Sequence, residues 1–437
     1  MDNVTHALAG LLMADVALQA MGARSGRPVS PRVRRATVLL GVVAAEFPDS
    51  DLVYSGPLVR MGPLGYLLHH RGHTHTLVWA TLGAVALWLV ARWWVRRGDG
   101  DGAHAADGVT PPLWLAVAGS WSHLLLDWTN SYGVHPFWPF DNRWWYGDAV
   151  FIVEPWLWLV AIPPLLFAPR SRGGRVVLGA LALLILAASV WTGEVARDVT
   201  VALAAFTAVW MSAQWVVPPR ARAWGGVAMW GVVTVAFVAG RTVVRGTVTR
   251  TAAASGAAVL DVVLNPAPGD PTCWTALVAT RSADGGAYRV TSAAAAVLAG
   301  RDAARCRQAA PRGRAGGDVL SGLAGASLDP PFASTPQVAW RSTWQAPVAA
   351  LAALAAKRCE VAAALRFMRT PVWQQGPDGA LLLVDARYGM GGGFNTLRLP
   401  PPTGGCGLAG RWVPPWREPR RDLLQGTGAT PPSRAPG

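Results

Sequence analysis

His69–Arg97 reads HHRGHTHTLVWATLGAVALWLVARWWVRR. The stretch changes character at Thr76. Before it, four histidines and Arg71 crowd into a short polar segment around Gly72. After it, residues 76–95 form an apolar run that stays uncharged until Arg92 and ends on Arg96 and Arg97. A helix needs about 20 apolar residues to cross the hydrocarbon core of a bilayer. The stretch therefore predicts a transmembrane helix with titratable groups at one end and arginines at the other.

Seven further apolar runs flank it, at 7–22, 36–47, 113–126, 151–168, 176–193, 199–217 and 224–240. The runs 36–47 and 113–126 are short and could be half-buried within a bundle. The 437 residues are 52% apolar and only 15% charged, against roughly 25% charged in soluble domains. That much apolar surface excludes a disordered chain. Together these features predict a mainly α fold, a polytopic helical membrane bundle of about eight spans. The first run does not read as a cleaved leader, because its arginines follow the apolar stretch and do not precede it.

The formal net charge is +14, and Lys357 is the only lysine. The arginines are spread between apolar runs, so no compact basic patch argues for nucleic acid. Their distribution sets an orientation. The first, third, fifth and seventh loops and run ends carry 13 arginines, from Arg24 to Arg222, whereas Arg60, Arg71, Arg143 and Arg197 are the 4 on alternate loops. The positive-inside rule makes the richer side cytoplasmic. The N-terminus, the 48–75 and 127–150 loops and everything after 241 then face outward.

All four cysteines, Cys273, Cys306, Cys359 and Cys406, follow the last span. In an oxidising compartment they would make two disulfides, with three pairings open; four buried thiols are the competing reading. Around them, Trp274–Thr280, Ala287–Ser292 and Leu381–Asp385 read as strands and Pro347–Arg369 as a helix, with Pro347 tolerated in its first turn. The expected domains are 1–168, a membrane-embedded metal-site domain; 169–244, additional membrane helices; 245–416, a small extracytoplasmic α+β domain; and 417–437, a disordered tail. Asp385 and Arg387 read as a structural ion pair, and the run Gly389–Gly393 lacks the context of a P-loop.

The eight histidines carry the chemistry. All lie before residue 136, and only His104 falls in a loop of the arginine-rich side, among Asp99, Asp101 and Asp107. His6 begins the first run, Asp49 and Asp51 follow the second, His70 and His75 precede the third, His123 and Asp127 end the fourth, and Glu154 begins the fifth. His123 and Asp127, spaced i, i+4, share a helical face. Asp49 and Asp51, spaced i, i+2, would point the same way on an extended segment. Imidazole with carboxylate suits zinc or a harder divalent ion such as manganese or magnesium. Ionisable groups at membrane depth are functional suspects by default. Taken singly, each histidine reads as a hydrogen-bonded structural residue: His69 and His73 facing headgroups or solvent, His135 in a loop. Trp79, Trp93, Trp94, Trp128 and Trp156 fit an interfacial aromatic belt.

Asp2–Gly10 (DNVTHALAG), Pro48–Asp51 (PDSD), His70–His75 (HRGHTH) and His123–Gly133 (HLLLDWTNSYG) together resemble the YdjM-type inner-membrane family, described as membrane-bound metal-dependent hydrolases. The likeness covers about residues 1–160. It implies a multi-pass protein of the bacterial inner membrane. More distantly, the order His, Asp, His, HxxxD resembles zinc-dependent phospholipase C and the P1-type nucleases, which implies a phosphoester substrate. Glu154-Pro155 stands where the pattern leads one to expect Asp-Pro.

The resulting expectation is a hydrolase at the outer face of the membrane. Its metal ligands are His6, Asp51, His70, His75, His123 and Asp127. Asp49 or Glu154 takes a proton from water, and Arg71 stabilises negative charge on an amphiphilic or phosphate-containing substrate. The alternatives are a non-catalytic metal-binding membrane protein, a transporter or scaffold, and a partner-binding protein acting through the outer domain. The later runs lack mid-span charges, which speaks against a conduit. No GxSxG supports a serine hydrolase.

Overall fold

The structure is a computed structural model. It describes residues 1–56, 60–97, 109–303, 306, 318–320, 323–327, 329–389, 393–401, 406–414 and 420–424. His104 and its acidic neighbours, residues 390–392 of the glycine run and all of the expected disordered tail except 420–424 lie outside them.

All eight apolar runs fold as helices. The first ten helices are α1 (Asn3–Ser25), α2 (Pro31–Glu46), the short α3 (Leu52–Ser55) and α4 (Pro63–His69), α5 (Leu77–Arg97), α6 (Leu113–Trp128), α7 (Pro155–Leu166), α8 (Arg172–Trp191), α9 (Arg197–Val216) and α10 (Pro219–Ala253). Five of them, α1, α5, α8, α9 and α10, are long and apolar enough to cross a membrane. The other three apolar runs fall short of the eight spans expected: α2 and α6 have 16 residues, and α7 has 12 with Pro163 and Pro164 near its end.

The helices start where the sequence supplies caps. Asp2 accepts from Thr5 N–H to open α1, and Gly26 ends that helix in the left-handed region. Ser30 accepts from Val33 N–H ahead of Pro31, and Ser171 accepts from Gly174 N–H. Each removes one orphan donor from a helix terminus.

The chain divides into two compact units. The first comprises 1–51, 71–239 and 266–271, the second 52–70, 240–265 and 272–437. In the first, α1 and α2 touch backbone to backbone at Gly10 and Gly41. A Cβ on Gly41 would lie 2.5 Å from the Gly10 carbonyl oxygen. Small residues allow such approach between membrane helices. Around that contact, Ala14, Leu40, Ala44, Ala84, Leu115 and Ala116 form one core, and Leu8, Leu12, Leu159, Ile162, Leu165 and Leu203 belong to another. The apolar helices α8 and α9 leave Val176, Leu183, Val209 and Trp215 exposed, as a lipid-facing surface would.

The loops sort to two ends. Arg32 donates to the Trp94 carbonyl, Gln19 to the Pro219 carbonyl, and Arg170 pairs with Asp15 at 2.7 Å, so the arginine-rich segments gather at one end. Asp2 N–H donates to Ile152 O and Leu77 N–H to Pro136 O at the other.

The second unit holds a five-stranded sheet of order β1-β2-β3-β5-β4 and a three-stranded sheet of order β6-β7-β8. Their strands are β1 (Ala258–Ala267), β2 (Asp270–Arg281), β3 (Ala287–Ala296), β4 (Ala326–Ser327), β5 (Val338–Pro347), β6 (Pro371–Gln375), β7 (Leu381–Asp385) and β8 (Thr396–Leu399). Antiparallel pairing sets Val278 opposite Thr291 and Val384 opposite Val372. Disulfides join Cys273 to Cys306 and Cys359 to Cys406. The helix expected over Pro347–Arg369 is two, Val348–Lys357 and Cys359–Ala364. Arg358 breaks it by turning extended, and its guanidinium donates to Pro400 O at 2.7 Å. Asp385 and Arg387 form a fully buried ion pair at 2.7 Å, and Asp261 pairs with Arg369 at 2.9 Å.

Candidate metal centre

At the end of the first unit opposite its arginines, four side chains from three segments converge. Asp49 comes from the single 3₁₀ turn Phe47–Asp51 that follows α2, and His75 from the 3₁₀ turn His73–His75 that precedes α5. His123 and Asp127 come from one face of α6. His75 Nε2 lies 3.1 Å from Asp127 Oδ2, 3.2 Å from His123 Nε2 and 3.4 Å from Asp49 Oδ1. His123 Nε2 lies 3.4 Å from both Asp49 Oδ1 and Asp127 Oδ2. Five of the six separations among these donor atoms are thus 3.1–3.4 Å, edges of the size a tetrahedral ion needs for bonds of about 2.0 Å to nitrogen and oxygen. The donor set therefore fits a divalent ion, and these four residues could hold one.

The surroundings fix the rings. His123 Nδ1 donates to Ala45 O at 2.6 Å, which turns its Nε2 lone pair inward. Ala45 lies in the last turn of α2, where carbonyls lack helical partners. Ser120 Oγ donates to Ala44 O beside it. His75 Nδ1 faces Asp51 Oδ2 at 3.3 Å, and that oxygen also accepts from Arg71 N–H at 2.7 Å and Thr74 Oγ1 at 3.1 Å. A carboxylate behind a histidine is a recurring way to orient a ligand and raise its basicity. The sequence reading gave Asp51 to the metal and Asp49 to proton transfer. The structure sets Asp49 Oδ1 among the converging donors and Asp51 behind His75, and Asp51 also stands with Asp49 in a second group of side chains that could hold a metal ion.

The remaining candidates are placed as follows. His6 stacks on His123, ring centroids 3.7 Å apart, with Nε2 3.4 Å from Asp127 Oδ1. Its Nδ1 is buried without a hydrogen-bond partner among the described residues. Arg71 has φ +60° and is spent on the protein: it pairs with Asp127 Oδ1 at 2.9 Å and donates to Asp127 O, Asn130 Oδ1 and Gly133 O. It holds Asp127 in place. The Met1 amino group also contacts Asp127 Oδ1. Glu154 accepts from Trp156 N–H and Gly269 N–H, each at 3.2 Å, and joins no cluster of metal-ligating groups among the described residues. His70 ends α4 and belongs to the second unit, where it packs on Tyr66. His69 is buried against Trp412, also in the second unit. His73 is half-buried against Trp138. His135 lies in a loop, as expected, but is buried there, stacked on Trp144 and donating to Gly72 O.

One residue escaped the sequence reading. Glu46, the last residue of α2, accepts from Asn3 Nδ2 at 2.9 Å, and Asn3 Nδ2 also reaches Asp49 Oδ2 at 3.3 Å. The other Glu46 oxygen is buried without a partner. The run Glu46-Phe47-Pro48-Asp49 held the hint, a third carboxylate one helical turn before Asp49.

The electrostatics favour a cation. Burial pulls the His75 imidazolium down, but the Asp51 carboxylate and the hydrogen bonds that His75 donates to Asp127, Asp49 and Asp51 outweigh it and raise its pKa to about 10. Burial would push Asp49 up, but hydrogen bonds from His123 and His75 and their charge hold it well below the usual carboxylate range.

Residues 1–196 match the model of the YdjM inner membrane protein family. Each of the four donors, and Asp51, His6, Arg71 and Glu46 with them, falls inside the matched segment, and both sheets of the second unit fall beyond it. The family and the apolar helices make this a multi-pass membrane protein. No curated protein and no solved structure matches the chain.

Proposed function

We propose that the protein is a metal-dependent hydrolase of the inner membrane, acting at its outer face on a phosphoester or lipid-linked substrate. The observation that carries this is the convergence of Asp49, His75, His123 and Asp127, whose donor atoms all lie within 4.8 Å of one another. Zinc, or manganese or magnesium, when bound supplies an acidified water and polarises a substrate oxygen. Asp51 and Ala45 O hold the two imidazoles with their Nε2 atoms inward. Arg71 fixes Asp127. With a metal bound, Glu46, its Oε2 tied to Asn3 and its Oε1 unpartnered, would be the proton acceptor in place of Glu154. His6, buried beside the donors with Nε2 facing Asp127 and Nδ1 unpartnered, donates to the substrate's anionic oxygen.

The outer-face location rests on the arginine asymmetry and on two disulfides in the second unit, which suit an oxidising compartment. Five helices of spanning length plus α2, α6 and α7 completing the bundle would give the membrane domain its depth. Lipids are then the immediate partners, and a site at the ends of the helices suits a substrate with a polar head and an apolar tail.

The test uses detergent-purified full-length protein. Elemental analysis should find a divalent metal, and a generic phosphodiester should be hydrolysed. Glu46→Gln should keep the metal and lose turnover. Wild-type protein that retains no divalent metal, or Asp49→Asn and Asp127→Asn variants with full metal and full activity, would overturn the proposal.

A further inference from the structure

A second polar site lies at the other end of α1. Asp15 is nine residues beyond His6, roughly 14 Å along the helix at the usual rise. It lines a cavity of about 270 Å³ together with Leu18, Arg34, Phe167, Arg220 and Arg222. The walls come from the ends of α1 and α7 and the starts of α2 and α10. The cavity is smaller than the roughly 300–1,000 Å³ that encloses a drug-sized ligand.

Its charge is unbalanced. Asp15 is the only carboxylate in the lining, and it is taken by Arg170 at 2.7 Å. Arg34 also acts on the Asp15 charge, but among the described residues no carboxylate lies within ion-pair distance of Arg34, Arg220 or Arg222. Arg222 is held in place by donating to Val217 O at 3.1 Å and by lying over the Phe167 ring at 5.2 Å. Arg34 is half-buried, and Arg220 is exposed at the rim. Guanidinium forks match phosphate geometry. Basic pockets between membrane helices attract anionic headgroups. The leucine and phenylalanine walls add an apolar side that a solvated charge would not need.

We propose that this cavity binds the phosphate group of an anionic ligand, supplied by an anionic lipid headgroup or by free phosphate. The site is independent of the metal centre, and its test does not involve hydrolysis.

Full-length protein in neutral detergent is titrated with short-chain phosphatidylglycerol in one arm and inorganic phosphate in the other. Native mass spectra count bound ligand, and thermal unfolding by tryptophan fluorescence reports affinity. The wild type should bind one equivalent saturably. Arg34→Gln with Arg220→Gln should weaken binding about thirtyfold, from the usual contribution of two arginines near an anionic surface. Arg92→Gln with Arg96→Gln, which removes charge outside the cavity, should bind as the wild type does. If the double variant fails to fold, Arg220→Gln alone, at an exposed position, carries the same comparison. Binding of the lipid alone assigns the site to a headgroup, and binding of both shows that the phosphate suffices. No saturable binding in either arm overturns the proposal. So does equal affinity in the cavity variant, or an equal loss in the Arg92 and Arg96 variant.

Discussion

Replacing Asp51 by asparagine separates a donor from the group that aims it. Asp51 Oδ2 accepts from Arg71 N–H at 2.7 Å and from Thr74 Oγ1 at 3.1 Å, and faces His75 Nδ1 at 3.3 Å. Asparagine keeps the shape and one oxygen, so the turn should survive. It removes the charge that keeps the His75 proton on Nδ1. Loss of such a supporting carboxylate typically weakens metal binding about 10- to 100-fold, or roughly 1.4–2.7 kcal/mol. Asp49→Asn acts differently. It takes an anionic oxygen from within 3.4 Å of both histidine Nε2 atoms, so one of four donors is lost, and its effect should exceed that of Asp51→Asn. Competition with a calibrated chelator, using zinc and then manganese, measures both. The reasoning fails if the ranking is reversed, with Asp51→Asn abolishing binding while Asp49→Asn leaves it intact. It fails equally if folded Asp51→Asn protein holds metal as tightly as the wild type.

Burial raises the Glu154 carboxyl from 4.5 to about 8, against the hydrogen bonds from Trp156 and Gly269 N–H that favour its charge. The unfolded chain ionises it earlier, so this stabilisation is full below pH 4.5, declines as pH rises and is lost by pH 8, with a ceiling of roughly 5 kcal/mol. A melting temperature that falls across that window in the wild type and is flatter in Glu154→Gln is the expected result. Gly41→Val forces a side chain against the Gly10 carbonyl and Ala14 Cβ, so it should destabilise the bundle by about 1–3 kcal/mol and reduce metal retention, whereas Gly173→Ala, with nothing within 4 Å of its Cβ, should do neither. Cys273→Ser should lower the stability of the second unit by about 2–5 kcal/mol, read as a shift in its denaturant midpoint, and leave the metal content of the first unit unchanged.

The helices were legible because lipid burial leaves a coarse signature, a long apolar run between polar ends. Span length was less so, since Pro163 and Pro164 shorten α7 without interrupting the hydropathy of 151–168. At the site, His123 and Asp127 were legible from helical spacing alone. Asp49 and Asp51 were not, because the two-residue spacing was taken as extended backbone. The segment winds instead as a 3₁₀ turn, which sends Asp49 to the Nε2 side of His75 and Asp51 to its Nδ1 side. Glu46 was hidden inside the apolar run 36–47, one residue before its end. Glu154 shares the polar depth of the site residues in the sequence, but depth does not set lateral position, and its oxygens hold Trp156 and Gly269. The disulfide partners depend on long-range strand pairing, which leaves no local trace.

The bundle and the metal centre are one structure, and that decides which variants are informative. A helix that ends inside a membrane protein leaves its last carbonyls without helical partners, and no water is at hand to take them. In α2 these are Ala44 O and Ala45 O, and α6 answers them with Ser120 and His123. The donation from His123 requires α6 to lie close to α2, which Gly119 permits: a Cβ there would come within 3.1 Å of Ala44 Cβ. The Gly10–Gly41 contact brings α1, and so His6, to the same place. His123→Ala therefore removes a donor and also strips the cap from α2. Lost metal in that variant has two explanations. Among the described residues the Asp49 carboxylate meets only side chains, those of Asn3, His75 and His123, and caps no terminal backbone group, so Asp49→Asn tests coordination with the least disturbance of packing. If His123→Ala lost both metal and thermal stability while Asp49→Asn lost metal alone, capping and coordination would be separated within a single ring.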